Sequence, residues 1–562
     1  MSPLLLLAAL PALAGDLPRA PLVDTLIADL RRYQTELHLD DAPPTYHLRY
    51  HLLHLKQLDA EASFGALIST SQVPFNALAV EVRLGSPELD NTNFGGWQTG
   101  FARTWVPMEL TPHALRLATW RLTDDAYKAG VEQYARKKAQ FTPPPDYPGD
   151  YQLLATPIVA DDGVPSPQDP SALPDLARQV SAALAVAPEV ELASVYVGHE
   201  VGSQWTVDTE GSRVHTPITE TSVRAAVHVR ADDGALLTDS LLWSVSDVSQ
   251  LPSASAMAAQ AKAVADALVL SAHAEPLDAE YVGPVIFEDG AAVDLFRYLL
   301  LPQLEGTPGE IPFDTWLGNL GDSNDPVRLH RRVLPQGWDV RDDPNLDPEH
   351  PAAMRHDTEG TPTVSVDLVD DGIVRAVLMT RTPRTGVDGT NGHARGLVGH
   401  RLSAHATQLT VHAAHPVSAR RLHQLGLKLA ADYDRDYVLV VHRLQEPAIQ
   451  RLSTENFPIS NGLSLPSPVS VVRLYADGHE EPVRGAAFAS VQRWALRDIL
   501  AAGPSTAATF LSPEDGNEAL LAPTEGLPTW VSAPAVLVGE MELVAEVGDP
   551  RDLPILPRPP MP

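Results

Sequence analysis

YVGPVIFEDGAAVDLFRYLLLPQLEG, residues Tyr281 to Gly306, changes its hydrophobic period midway. Tyr281 to Phe287 is short, apolar and rich in β-branched and aromatic residues, which predicts a strand. Gly290 to Leu301 predicts a short helix with Leu295, Phe296, Leu299 and Leu300 in the core, while Arg297 and Tyr298 snorkel outward. Pro302 lacks an N–H and ends that helix.

This stretch divides the chain. On its N-terminal side helices and strands mix. Helices are predicted over Leu22–Leu37, Asp124–Gln140, Ser171–Val186 and Ser253–Ala274. Strand character appears at Tyr46–Leu55, Ala62–Ser69, Ala77–Leu84, Glu191–Val197, Trp205–Asp208, Ala225–Val229 and Leu236–Ser244, with a hairpin signal at Asp233-Gly234. On its C-terminal side Gly306–Arg355, rich in Pro, Gly, Asp and Asn, reads as an extended loop. Strands then dominate: Val364–Leu368 and Ile373–Met379 around Asp371-Gly372, Leu409–His412, Tyr437–Val441, Val469–Tyr475 before Asp477-Gly478, and Pro534–Val547. One helix, Ser418–Ala431, interrupts them. The predicted organisation is α+β: a mixed helix/sheet domain over 15–275, a β-rich domain over 276–548 and a Pro-rich tail over 549–562.

Composition narrows the partners. The chain has 562 residues, 44% of them hydrophobic, and a net charge of −31. Such a surface repels phosphate backbones, so nucleic acid is a poor ligand. There is no cysteine, which removes disulfides, thiol nucleophiles and thiolate zinc sites. Met1–Gly15, MSPLLLLAALPALAG, joins an apolar run to the small-x-small element Ala12-Leu13-Ala14. Residues 1–14 are expected to be a cleaved signal peptide, with the mature chain periplasmic or extracellular. No stretch reaches the roughly 20 apolar residues of a membrane span.

Common catalytic motifs are missing. There is no G-x-S-x-G elbow, no P-loop and no G-x-G-x-x-G. The His-Glu dipeptides at His199-Glu200 and His479-Glu480 lack a second His four or five residues after the first. A His-rich stretch, with His393, His400 and His405 among its members, offers imidazoles at spacings that metal ligands can have.

Three blocks together resemble the TldD/PmbA family, in its exported type. The first is Ala62-Ser63-Phe64-Gly65-Ala66-Leu67, then Val80-Glu81-Val82-Arg83-Leu84-Gly85, then Leu89-Asp90-Asn91-Thr92-Asn93-Phe94. The second is WTVDTEGSRV, Trp205–Val214. The third runs from Tyr281–Glu288 through Leu304-Glu305-Gly306 and His356-Asp357-Thr358-Glu359-Gly360-Thr361-Pro362 to Asn391-Gly392-His393. The resemblance implies a fold of the TldD/PmbA type and a metallopeptidase-related role.

In the family's zinc-bearing members a His-Glu-x-x-x-His sequence precedes the Leu-Glu-Gly, and a Cys supplies a further ligand. Aligned on Leu304-Glu305-Gly306, Arg297 takes the place of the first His, Tyr298 of the Glu and Pro302 of the second His. Arg cannot ligate a cation, Pro has no ligating group, and the Cys has no counterpart in this sequence. The resemblance therefore implies a zinc-less subunit, with zinc expected only in a TldD-like partner and peptide as the shared substrate. Two other readings stand: an autonomous metallopeptidase with His393, His400 and His405 as unconventional ligands, and a non-catalytic peptide-binding or scaffold protein.

Overall fold

The computed structural model describes residues 19–95, 99–277, 280–311, 327–387, 389–446, 449, 465–489, 493–512, 524–546 and 548–556. The expected signal peptide and the last residues of the tail lie outside these.

The N-terminal sheet grows from one long hairpin. Strands Thr45–Ser63 and Ala66–Ser86 pair antiparallel over almost their whole length. Phe64 and Gly65 connect them with φ of 47° and 83°, both left-handed, as a two-residue hairpin turn of the right twist requires. Val190–Asp208 pairs with the first strand, and Arg213–Arg230 pairs with Val190–Asp208. Shorter strands Leu89–Asp90, Phe101–Trp105, Val159–Asp161 and Leu236–Val245 complete eight. The sequence predicts fragments where the structure has continuous strands. Polar residues such as Gln57, Glu61, Glu200 and Gln204 interrupt the apolar runs without interrupting the backbone pairing.

Side chains alternate across a sheet, so its two faces differ. Leu48, Tyr50 and Leu52 pack with Leu26 of helix α1 (Arg19–Glu36) and Leu115 and Ala126 of α2 (Pro112–Gln140). Further along the same face Ala60, Ala62, Val195 and Val223 meet α3 (Leu173–Ala182) and α4 (Ala254–Ala272). Helix α2 starts twelve residues before the expected Asp124. Thr111 caps it, its Oγ1 accepting from the Ala114 N–H at 3.2 Å, and Pro112 occupies the first turn. Asp124 therefore lies mid-helix, 2.5 Å from Lys128 one turn on.

The opposite face of the same strands carries Arg49, His51, Gln57, Asp59, Thr206, Gln204, Glu200, Glu220, Ser222 and Arg224 in register. It is turned toward the C-terminal half: Val398 packs with Leu53, Leu55, Ala77 and Ala79.

The C-terminal half is a twelve-stranded mixed sheet built around Leu527–Ala545. Tyr281–Phe287 lies antiparallel to that strand and parallel to Tyr437–Leu444. Helix α5 (Asp289–Leu299) covers one face, with Leu295, Phe296 and Leu299 fully buried beside Phe287, Trp338 and Leu439. Helix α6 (Ala419–Asp432) covers the other with Leu422 and Ala430 against Ile286, Val438 and Leu537.

In the C-terminal half two further features depart from the expectation. The expected loop Gly306–Arg355 contains a strand, Trp338–Asp342, whose Trp338, Val340 and Asp342 point inward. Ile499–Ser512 is a strand the sequence did not reveal. Gly503-Pro504 falls where its pairing register shifts, between Ala502 and Ser505, so the alternation breaks just where a pattern would be sought. Among the described residues no helix is long and apolar enough to cross a membrane.

Candidate functional site

Helix α5 carries the first candidate. Its fixed end is the strand Tyr281–Phe287; its other end tightens into a 3-10 turn, Leu301–Gln303, around Pro302. Arg297 does not snorkel outward. It is 7% exposed, and its Nη1 lies 3.0 Å from Glu446 Oε2 and 3.7 Å from Asp294 Oδ1. Glu446 Oε2 is also 3.9 Å from Arg224 Nη1, on the N-terminal sheet. The guanidinium sits 4.3 Å from the Phe510 ring centre and 4.8 Å from that of Tyr298. The outward reading fails because both flanks of α5 are packed: one meets the C-terminal core, and the other meets strands of both halves.

Beside it Arg443 holds Asp239 with two bonds, Nε to Oδ2 at 2.6 Å and Nη2 to Oδ1 at 2.7 Å. Burial pushes the Asp294 carboxyl up to about 7, with Glu446 and Asp239 adding to the shift against Arg297 and Arg443. Chemically this is an arginine–carboxylate lattice. A guanidinium stays protonated and has no lone pair for a metal, and Pro302 offers no side-chain donor. The residues at this position do not fit zinc.

The structure does not assemble His393, His400 and His405 into a metal site, which corrects that reading. His393 is buried with Nε2 3.0 Å from Asp342 Oδ2 and Nδ1 3.0 Å from Asn391 Oδ1, so both ring nitrogens are engaged. His405 turns its Nδ1 to Glu305 Oε1 at 3.3 Å. His400 lies in an exposed turn. His393 and His405 are thus committed to different carboxylates and share no centre.

A second feature has no counterpart in the sequence reading. The three blocks singled out there converge on a buried ionic seam between the two halves. From the first block come Glu81, Arg83 and Asp90; from the second Asp208 and Glu210; from the third Asp357 and Glu359. Arg49, Tyr151 and Arg381 tie them together. Arg49 Nη1 is 2.8 Å from Glu81 and 3.6 Å from Glu359. Arg83 bonds Glu81 and lies 2.9 Å from Asp90. Arg381 bonds Glu210 and donates from Nε to Gln152 O at 2.9 Å. Tyr151 bonds Arg49, and its ring centre lies 3.7 Å from the Arg83 guanidinium and 4.4 Å from that of Arg381.

Burial works against charge on Glu210, yet the contacts with His47 and Arg381 hold it at about 2. Burial, reinforced by Glu359, pushes Asp357 up to about 8, although its oxygens accept from the Thr361 and Ala394 N–H groups at 2.8 and 3.0 Å. Charge patterning could have flagged Arg49 and Arg83, each a charged residue next to the apolar positions Leu48, Tyr50, Val82 and Leu84.

Residues 280–543 match the family model described as the PmbA/TldA metallopeptidase C-terminal domain. No curated protein matches the sequence. Solved structures share the fold. One from Thermotoga maritima, named as a candidate modulator of a DNA gyrase, aligns with a TM-score of 0.58 at 16% identity, over 94% of this chain and 100% of its own. TldE from Thermococcus kodakarensis aligns with a TM-score of 0.57 at 12% identity, over 93% and 100%. A protein from Bacteroides thetaiotaomicron, also named as a candidate DNA gyrase modulator, aligns with a TM-score of 0.54 at 13% identity, over 92% and 98%. The C-terminal domain thus belongs to the TldD/PmbA family, and the chain as a whole shares its fold with these structures.

Proposed function

We propose that this chain is the zinc-less subunit of a two-chain peptidase, working with a TldD-like subunit that carries an intact His-Glu-x-x-x-His. The observation that supports this most is Arg297. At the place the resemblance gives to the first zinc-binding His, a buried guanidinium is paired with Glu446 at 3.0 Å. Removing it would leave that carboxylate, and Asp294 beside it, in a poorly solvated site, so the arginine is built into the packing. Peptide is the proposed substrate. The outer edge of Ala66–Ser86 supports this reading: its first ten residues have no strand on that side among the described residues, an arrangement that accepts an extended chain by main-chain hydrogen bonding. Residues 1–14 support export, so the pair would act outside the cytoplasm.

The test is reconstitution. The purified chain, a TldD-like subunit from the same cell and their mixture are each given zinc and an unfolded peptide. Cleavage needs the zinc-bearing subunit and rises when this chain is added. Cleavage by this chain alone would overturn the reading.

A further inference from the structure

At the turn that ends the strand Val190–Asp208, three side chains point at one another from two strands and a loop. His47 comes from Thr45–Ser63, Asp208 from the strand end and Glu210 from the turn that follows. One ligand atom from each, His47 imidazole nitrogen and a carboxylate oxygen from the other two, all lie within 4.8 Å of one another. His47 is 0% and Asp208 4% exposed. Neither ring nitrogen of His47 has a hydrogen-bond partner, and neither has Asp208 Oδ2. Buried polar atoms are almost always satisfied, so a buried imidazole and a buried carboxylate oxygen left unsatisfied in one cluster call for a ligand.

His47 Nδ1 lies 3.1 Å from Glu210 Oε1, but off the line a hydrogen bond needs. Two ligands about 2.1 Å from a shared ion stand about 3 Å apart. The other atoms of the two carboxylates are already committed in the way second partners orient metal ligands. Asp208 Oδ1 accepts from the Ser212 N–H at 2.9 Å, and Glu210 Oε2 from the Leu154 N–H at 2.6 Å.

Charge points the same way. The seam joins five carboxylates, Glu81, Asp90, Asp208, Glu210 and Glu359, to three guanidiniums, Arg49, Arg83 and Arg381. In formal charge it is two positive charges short. Nearby Lys137 and Asp150 form a pair that cancels within itself. Arg381 Nη1 is 3.9 Å from Asp208 Oδ2, too far to satisfy it, and it too lacks a hydrogen-bond partner.

We propose that His47, Asp208 and Glu210 bind one divalent first-row metal cation, which fixes the turn after Val190–Asp208 to the first strand on the N-terminal side of the seam. One imidazole and two carboxylates suit Zn²⁺ or Mn²⁺. This site shares no residue with helix α5, and its role is structural. The ion would answer the two-charge deficit and take the unsatisfied lone pairs of His47 and Asp208.

The full-length protein, stripped with chelator, is titrated with Zn²⁺ and with Mn²⁺ and followed by metal analysis and thermal unfolding. The site predicts one tightly held ion per chain and a melting temperature that rises with metal concentration. Asp208→Asn and His47→Gln each weaken binding at least tenfold, while Arg297→Lys, at α5, keeps it. Should the aspartate variant fail to fold, Mn²⁺ electron paramagnetic resonance of the wild type reports a bound ion directly, with ¹⁴N coupling from one imidazole. Absence of stoichiometric metal in the folded wild type, with no metal-dependent melting shift, overturns the proposal and leaves bridging water as the occupant. Equal binding by wild type and both variants overturns it as well.

Discussion

Arg297 shows what a single position can and cannot disclose. Its identity, read against Leu304-Glu305-Gly306, is legible at once and excludes a metal ligand. Its environment is not: the helical spacing of Leu295, Phe296 and Leu299 places residue 297 off the apolar stripe, which ordinarily means solvent. It is buried because Glu446, Phe510 and Arg224 come from segments far away in the chain. Arg297→Ala should therefore lower stability by about 3 kcal/mol, the range for breaking one side of a buried pair, read as a shift in the urea midpoint. An exposed arginine would give almost nothing.

Asp357 makes a second residue-scale prediction. Burial and Glu359 raise its pKa to about 8 in the folded chain, against about 3.9 unfolded. Between those values the folded state holds a proton the unfolded state has released. Its contribution to stability is thus fully present below about pH 4 and is lost as pH rises toward 8. Asp357→Asn should flatten the stability–pH curve across that window, measured by denaturant unfolding at several pH values. An unchanged slope would mean that Asp357 is ionised in the fold.

At the level of elements, Tyr281–Phe287, α5 and α6 are legible because their hydrophobic periods are uninterrupted, and Ser418 caps α6. The long N-terminal strands were not. One of their faces is polar and partly buried against the other half, so Glu200 or Gln57 looks like a break. The Phe64-Gly65 turn is where local chemistry sets register for the whole sheet. A Cβ at Gly65 would meet Ala182 Cβ at 3.2 Å, and its φ of 83° disfavours any L side chain. Gly65→Ala should cost about 1 kcal/mol, seen as a lower urea midpoint with unchanged slope. A larger loss with a changed slope would indicate that the register itself slips.

Across the whole molecule the two sheets are joined by ions as much as by apolar contact. The Arg381–Glu210 pair and the Arg443–Asp239 fork both cross between the halves. Charged residues within its strands hint at single members, but no local pattern joins them, since they are separated by more than three hundred residues. Arg443→Lys keeps the charge but removes the planar fork. It should loosen the docking of the two halves by about 1–2 kcal/mol, detected as faster limited proteolysis between them with little change in helix or strand content.

In the proposed function this chain lacks zinc chemistry at α5 and draws it from a zinc-bearing subunit. Peptide hydrolysis by the purified protein, with zinc supplied and with a TldD-like subunit present or absent, tests this most directly. No turnover is expected from this chain alone, and turnover in the mixture should exceed that of the zinc-bearing subunit by itself. Hydrolysis by this chain alone, abolished by chelator and restored by zinc, would contradict it.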